Sequence, residues 1–129
     1  MSTEDRSCLF CRLVEDRAQL GEFGTVVAWA DQFPVAESHL LIVPRRHCCD
    51  FFEMTSAERR DADKALVAMA DTIRSSDDTV DGFNIGWNCG EVAGQTVMHA
   101  HAHLIPRRKG DVANPRGGVR GVISERQSY

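Results

Sequence analysis

Several features that would place a chain in a particular class are missing from this sequence of 129 residues. No apolar run approaches the roughly 20 residues that a membrane-spanning helix needs. Residues 1–6 are polar and lack the apolar core of a secretion signal. These absences lead us to expect a cytoplasmic protein without a membrane partner.

The sequence also lacks an excess of basic residues. Its 15 lysines and arginines are outnumbered by 19 aspartates and glutamates, which gives a formal net charge of −4. Proteins that bind nucleic acids are usually basic, so this balance argues against a nucleic-acid partner. It leaves room for a small pocket that binds a single phosphate.

A framework of paired disulfides is not favoured either, since the chain has five cysteines, an odd number. This count suits metal ligands and free thiols better. Cys8 and Cys11 have the spacing of half a tetrahedral zinc site, for which His47 and His99 could supply the other two ligands. Because one such pair is incomplete, two buried thiols at a chance spacing are the alternative.

What is present predicts one α+β domain with an ordinary globular composition, 43% hydrophobic and 26% charged. Thr55 and Glu58 form a capping-box pattern that predicts a helix running to about Arg74, with apolar residues at steps of three and four. Apolar and β-branched runs predict strands at 25–30, 38–44, 82–87 and 98–105. We therefore predict an antiparallel sheet of about five strands with one long helix packed across it.

Three of the five histidines lie at every second position of the last predicted strand. Side chains on a strand repeat on one face with a period of two, so His99, His101 and His103 are expected to share a face, with neighbouring Cβ atoms roughly 7 Å apart. Three imidazoles build a poor core, because each ring nitrogen needs a partner. This face is therefore the candidate functional site, and the small Ala100 and Ala102 predict close packing behind it.

The segment between the last two strands, residues 88–96, is long for a hairpin connection. A plain loop is one interpretation. The other is a phosphate site, because two glycines and free backbone N–H groups can form an anion-binding nest.

The stretch Gly94-Gln95-Thr96-Val97-Met98-His99-Ala100-His101-Ala102-His103-Leu104-Ile105-Pro106 resembles the signature of the histidine triad family of nucleotide hydrolases and transferases. Three histidines alternate there with apolar residues, and the flanking residues make the match specific. The resemblance extends over most of the chain up to about Arg108. It implies a histidine triad-like fold, a homodimer with paired sheets, and a catalytic domain at 1–110. Residues 111–129 are turn-rich and are predicted to be a solvated tail, or else a loop that closes over the leaving group.

The resemblance also implies roles for individual residues. His101 would be the nucleophile, His103 would contact the phosphate and help to protonate the leaving group, and His39 would orient the cluster. A structural zinc ion would be bound by Cys8, Cys11, His47 and His99. Substrate-binding residues would be Asp31 at the ribose and, at the phosphate, Asn88, Gly94, Gln95, Thr96, Val97 and His103.

Together these residues predict an enzyme that cleaves nucleotides at the α-phosphate, with purines favoured by the resemblance. A covalent nucleotidyl-histidine intermediate would release a nucleoside monophosphate from a phosphoramidate or a dinucleoside polyphosphate. Two alternatives stay open: a zinc hydrolase in which His99, His101 and His103 bind a catalytic metal, and a nucleotide-binding protein without catalysis. Enzymes that repair adenylated DNA ends share the triad, but they need a nucleic-acid surface that this acidic chain lacks.

Overall fold

The structure is a computed structural model that describes residues 7–16 and 19–129, so the polar residues 1–6 lie outside it. Within these ranges the chain forms two α-helices, five strands and several short 3-10 turns. In chain order the regular elements are α1 (Leu9–Asp16), β1 (Gly21–Phe23), β2 (Val26–Ala30), β3 (Leu40–Pro44), α2 (Ser56–Ser76), β4 (Gly82–Trp87) and β5 (Ala102–Arg107).

The five strands form one antiparallel sheet in the order β1-β2-β3-β5-β4. The central pair β3 and β5 sets Leu41 opposite His103, and β4 sets Gly86 opposite the same histidine. Directly opposed residues point to the same face of a sheet. The predicted α+β architecture, a sheet of about five strands crossed by one long helix, is confirmed.

Helix α2 covers one face of the sheet. Its start is the predicted capping box, in which Thr55 Oγ1 accepts from the Glu58 N–H and the Glu58 carboxylate accepts from the Thr55 N–H. The buried stripe of the helix packs on alternate residues of the strands, which forms the main core. This core includes Ala62, Ala65, Leu66, Met69 and Ile73 of α2, and Val26, Ala28, Leu40, Ile42, Ala102 and Leu104 of the sheet.

Helix α1 packs on the opposite face of the sheet. Phe10 and Val14 bury themselves against side chains of β2 and β3 in a second, smaller apolar cluster. This cluster draws on the two strands at one side of the sheet, whereas β4 and β5 contribute nothing to it. His103, opposite Leu41 of this cluster, therefore lies on the α1 face beside the helix.

Two strand predictions need correction. The short strand β1 was not predicted, because its three residues carry too little pattern to stand out. The last strand was predicted to begin at residue 98, but it begins at Ala102, so only one histidine of the triad is in regular strand. The Ala100 N–H donates to the carbonyl of Cys48, 2.8 Å away but distant in the chain, instead of to a neighbouring strand. Ala100 and Ala102 are both buried in the main core, as predicted.

The C-terminal residues 111–129 are mostly exposed and contain two 3-10 turns, Gly118–Val122 and Ser124–Arg126. The Tyr129 ring lies against the guanidinium groups of Arg116 and Arg120. The predicted division between a domain at 1–110 and a tail at 111–129 stays a prediction. Among the described residues, no helix is long and apolar enough to cross a membrane.

Candidate functional site

Four predicted metal ligands converge between α1 and the end of β3. The ligand atoms of Cys8, Cys11, His47 and His99 all lie within 4.8 Å of one another. Cys11 Sγ lies 3.3 Å from His47 Nδ1 and 3.5 Å from His99 Nδ1, and Cys8 Sγ lies 3.5 Å from the same His99 nitrogen. Tetrahedral zinc bonds to sulfur and nitrogen place such atoms about 3.5 Å apart. Both the donor set and its spacing therefore fit a structural zinc site.

The orientation of His99 supports the same conclusion. Its Nε2 lies 2.7 Å from the carbonyl oxygen of Pro44, which can only accept, so Nε2 carries the ring proton. The Nδ1 lone pair is then directed at the two thiols, as in metal sites where a second partner fixes the imidazole. His99 is fully buried, and burial lowers its pKa to about 4, which keeps the ring neutral for a metal.

The ring of His101 is held through its other nitrogen, Nδ1. Its Nδ1 donates to the His99 carbonyl at 2.9 Å, so the lone pair of the neutral ring is on Nε2. The Phe10 ring packs on the imidazole with a centroid distance of 5.0 Å. Burial lowers the pKa of His101, and the hydrogen bond to the His99 carbonyl opposes this only in part. The residue thus has the features of a neutral nucleophile with one fixed nitrogen.

His39 and His103 form a connected pair beside His101. The Val35 N–H donates to His39 Nδ1 at 3.1 Å, so the neutral His39 ring carries its proton on Nε2. That nitrogen lies 2.9 Å from His103 Nδ1 and donates to it. His103 therefore carries its own proton on Nε2, where it is available as a donor. The rings of His101 and His103 lie 5.1 Å apart.

Asp31 is the acidic residue next to the pair His39 and His103. One carboxylate oxygen accepts from the Phe33 N–H at 2.8 Å, which makes a turn. The other lies 3.4 Å from His39 Nε2 and 3.8 Å from His103 Nδ1. Burial lowers the pKa of both histidines, to about 4 for His103, and the negative charge of Asp31 opposes the shift. Both rings are therefore neutral at neutral pH.

The connection between β4 and β5 begins with a loop, residues 88–97, called here loop 88–97. Gly94 has a φ of 96° in the left-handed region, which favours glycine. Within the described part of the chain, the backbone N–H groups of Thr96 and Val97 and the side-chain amide of Asn88 have no hydrogen-bond acceptor. A cleft of about 350 Å³ is lined by Thr96 and Val97 on one side and by Cys8 and His47 on the other.

Gln95 is placed differently from its expected role at the phosphate. Its side chain is buried, and both ends of its amide bind protein backbone. Nε2 donates to the carbonyls of Cys49 and Val97, at 2.6 and 3.0 Å, while Oε1 accepts from the Gly90 N–H at 2.8 Å. Both amide hydrogens are thereby used. In this structure the side chain supports the loop, and the predicted contact between Gln95 and the phosphate stays a prediction.

The two arginines before His47 bind carboxylates. Arg46 donates through two nitrogens to the buried Glu58, at 2.9 and 3.1 Å, and Arg45 pairs with the exposed Glu22. Burial alone would raise the pKa of Glu58, but the hydrogen bonds from Arg46 and Thr55 outweigh it and lower the pKa. Arg46 thus ties the segment that bears His47 to the start of α2.

The triad histidines do not converge on one ion. His99 faces the thiols, His101 Nδ1 is bound to a carbonyl, and His103 Nδ1 accepts from His39. This geometry disfavours the zinc-hydrolase alternative, which needs three lone pairs aimed at one point.

Several functional contacts could not be read from side-chain patterns, because backbone groups make them. The carbonyl of Pro44 fixes His99, the N–H of Val35 fixes His39, and the carbonyl of Cys49 fixes Gln95. Backbone groups are the same in every residue, so no sequence signal marks them. Phe10 could have been suspected, since it lies between the two metal-ligand cysteines.

This chain is similar to known proteins in both structure and sequence. The structure aligns with a zinc-bound histidine triad family protein from Mycobacterium smegmatis at a TM-score of 0.76 and 32% identity, covering 84% of this chain and 80% of the other. The sequence is 35% identical over 107 residues to an uncharacterised HIT-like protein from Methanocaldococcus jannaschii, covering 81% of each. It is 31% identical over 110 residues to an adenosine 5'-monophosphoramidase from Saccharomyces cerevisiae, covering 83% of this chain and 66% of that protein.

The model of the HIT domain family matches residues 12–110, which include the loop and all three histidines of the triad. The zinc-bound neighbour and the cluster of two cysteines and two histidines fit the zinc-containing branch of that family. This chain therefore belongs to the HIT, or histidine triad, family.

Proposed function

We propose that this protein hydrolyses nucleotides at the α-phosphate through a covalent nucleotidyl–His101 intermediate. One observation carries the proposal: the His99 carbonyl holds Nδ1 of His101, which leaves the lone pair on Nε2 of a neutral ring. The relation to a monophosphoramidase favours nucleoside phosphoramidates as substrates. Dinucleoside polyphosphates present the same α-phosphorus and are the second substrate class.

In the first step, His101 Nε2 attacks the α-phosphorus, and the bond from phosphorus to the leaving group breaks. His103, whose Nε2 carries a proton, donates a hydrogen bond to the departing atom, which takes up one proton from solvent as it leaves. In the second step, water attacks the phosphorus, the bond to His101 breaks, and the attacking water releases one proton to solvent. Over the cycle the water oxygen ends on the nucleoside monophosphate and the leaving group gains one proton, so that no net proton is exchanged with solvent.

Loop 88–97 supplies the charge stabilisation that phosphoryl transfer needs. The unpartnered N–H groups of Thr96 and Val97, within the described residues, suit non-bridging phosphate oxygens, and Asn88 can donate beside Gly94. We assign the ribose hydroxyls to Asp31, whose second carboxylate oxygen faces the pair His39 and His103.

Zinc, when bound by Cys8, Cys11, His47 and His99, supplies structural cross-linking and no chemistry at the phosphate. These residues join α1 to the end of β3 and to the segment before β5. The cross-link holds Phe10 of α1 against the ring of His101.

We further propose a cytoplasmic homodimer. Strand β4 is at the edge of the sheet, so the outer backbone groups of Gly82–Trp87 are in reach of a second copy. Sedimentation at several concentrations tests this association.

Intact-mass analysis during turnover tests the mechanism. Adenosine phosphoramidate and diadenosine tetraphosphate are supplied separately, and samples are quenched in base. We expect a transient adduct of one adenylyl group in the wild type and in His103→Gln, but not in His101→Ala. Turnover by His101→Ala at the wild-type rate would contradict the nucleophile assignment. AMP binding without any cleavage would instead support a nucleotide-binding protein.

A further inference from the structure

We infer that Gln95 is a positioning residue that couples loop 88–97 to the segment bearing the metal ligand His47, so that zinc and nucleotide strengthen each other's binding. The inference rests on the proposed function, because it takes loop 88–97 as the nucleotide site. It adds to that function a thermodynamic link between a structural metal and substrate affinity.

The side chain of Gln95 connects loop 88–97 to the segment at residues 46–49. It is only 4% exposed and makes three hydrogen bonds of 2.6 to 3.0 Å. Two of them, to the Gly90 N–H and the Val97 carbonyl, span the loop from one end to the other. The third and shortest, to the Cys49 carbonyl, leaves the loop and reaches the other segment. A loop that binds phosphate through backbone N–H groups depends on such fixed geometry.

The segment at residues 46–49 is fixed on its other side by the metal cluster. His47 Nδ1 lies 3.3 Å from Cys11 Sγ, and the Cys48 carbonyl accepts from the Ala100 N–H at 2.8 Å. Cys49, two residues after His47, then presents its carbonyl to Gln95. A ligand bond at His47 is thus separated from loop 88–97 by two residues of backbone and one amide.

Coupling of this kind is reciprocal. If zinc orders the segment that supports the loop, the loop loses less conformational entropy when nucleotide binds, and the affinity for nucleotide rises. Bound nucleotide must then raise the affinity for zinc by the same factor. We expect a factor of about ten, within the common range for coupled sites. Removing the hydrogen bonds of Gln95 should leave zinc and nucleotide each able to bind but make their affinities independent of each other.

The test uses zinc-loaded protein and AMP as the probe. Calorimetry first measures AMP affinity, and a chromophoric chelator then competes for zinc at equilibrium with and without saturating AMP. In the wild type we expect AMP to raise the affinity for zinc about tenfold. In Gln95→Met, which keeps the volume but loses all three hydrogen bonds, we expect AMP to bind about tenfold more weakly and the affinity for zinc to be nearly independent of AMP.

The matched control is Gln19→Met, which removes a different, half-buried amide that donates to the Val14 carbonyl. This variant should keep the wild-type ratio of the zinc affinities measured with and without AMP. General destabilisation would lower the affinity for zinc equally with and without AMP, so the ratio isolates the coupling. Gln95→Glu, which keeps the acceptor for the Gly90 N–H, serves if Gln95→Met does not fold.

The outcomes separate this inference from the proposed function. If wild-type protein binds no AMP, the proposed function fails and the coupling fails with it. If AMP binds but does not change the affinity for zinc, or changes it equally in the wild type and in the Gln95 variant, only the coupling is overturned.

Discussion

Two clusters on the same face of the sheet each contain a triad histidine, but a backbone carbonyl fixes a different ring nitrogen in each. In the metal cluster, a carbonyl oxygen holds Nε2 of His99 and leaves Nδ1 for the thiols. Two residues later, a carbonyl holds Nδ1 of His101 and leaves Nε2 open. The role that we propose for each histidine therefore follows from which nitrogen a backbone group fixes, and alternate positions of one motif face two different clusters.

Exposure also differs between the first and the last histidine of the triad. His99 is 0% exposed, whereas the side chain of His103 is 24% exposed and can be reached by a substrate. A structural ion is protected by burial, while a reacting group must admit its substrate. If this contrast holds, variants in the two clusters should fail in different measurements, in the following order of expected size.

Replacing the proposed nucleophile should have the largest effect on activity. We expect His101→Ala to lower kcat by at least about 10³-fold, because the His99 carbonyl leaves the Nε2 lone pair of His101 free for attack and alanine has no nucleophile. Its zinc content, measured by atomic absorption, should stay at the wild-type value. Zinc loss in this variant would mean that the two clusters are not separable.

Replacing a buried metal ligand should mainly affect stability. We expect Cys11→Ser to lose zinc and to lower the free energy of unfolding by about 4 kcal/mol, since the cross-link between α1 and the strands is lost. Urea unfolding of zinc-loaded samples measures this. Cys89→Ser, whose thiol is outside the cluster, should retain zinc, and equal loss in both would contradict the ligand assignment.

Removing the support of the metal-bearing segment should have a smaller effect. We expect Arg46→Ala to lower the free energy of unfolding by about 2 kcal/mol, because Glu58, only 3% exposed, loses its charged partner. The matched variant Arg45→Ala breaks an exposed pair with Glu22 and should change it by no more than about 0.5 kcal/mol. Similar values for both arginines would show that the buried pair is not special.

The smallest effect expected is a shift of the pH profile in Asp31→Asn. Neutral imidazole is the working form, and burial lowers the pKa of His103 to about 4 and that of His39 below its ordinary value. Because the negative charge of Asp31 raises both pKa values, its removal should lower them further. The acid limb of kcat/KM should move to lower pH, whatever the change in its plateau. A shift to higher pH would contradict this assignment. The control is Asp63→Asn, which changes an exposed carboxylate on the outer side of α2.

The accuracy of each sequence prediction depended on how far apart in the chain the determining residues lie. The capping box at Thr55 and the period of α2 are local patterns with one structural solution, and the helix was predicted nearly to its last turn. Strand β4 was predicted at its observed residues, 82–87. The start of β5 was wrong because a carbonyl from Cys48, far away in the chain, takes the N–H that a ladder would use. Strand periodicity cannot register such a competitor.

The site follows the same rule. The residue types of the metal cluster could be selected from spacing and resemblance, because thiols and imidazoles have few other uses in such a pattern. The direction of the Gln95 amide could not, since Gln95 can donate either to a phosphate or to a carbonyl. Only the position of the Cys49 carbonyl decides between them, and that position depends on how the segment after β3 folds.

The alternation of β5 has a consequence for how this protein can change over generations. Ala102, Leu104 and Pro106 lie in the interior under α2, while His103, Ile105 and Arg107 are partly open on the other face. Tolerance to substitution should therefore rise and fall between Ile105, Pro106 and Arg107, whereas His103 is held by its contact with His39. A lineage can vary the partly open positions while the interleaved buried set, under separate selection, preserves the fold.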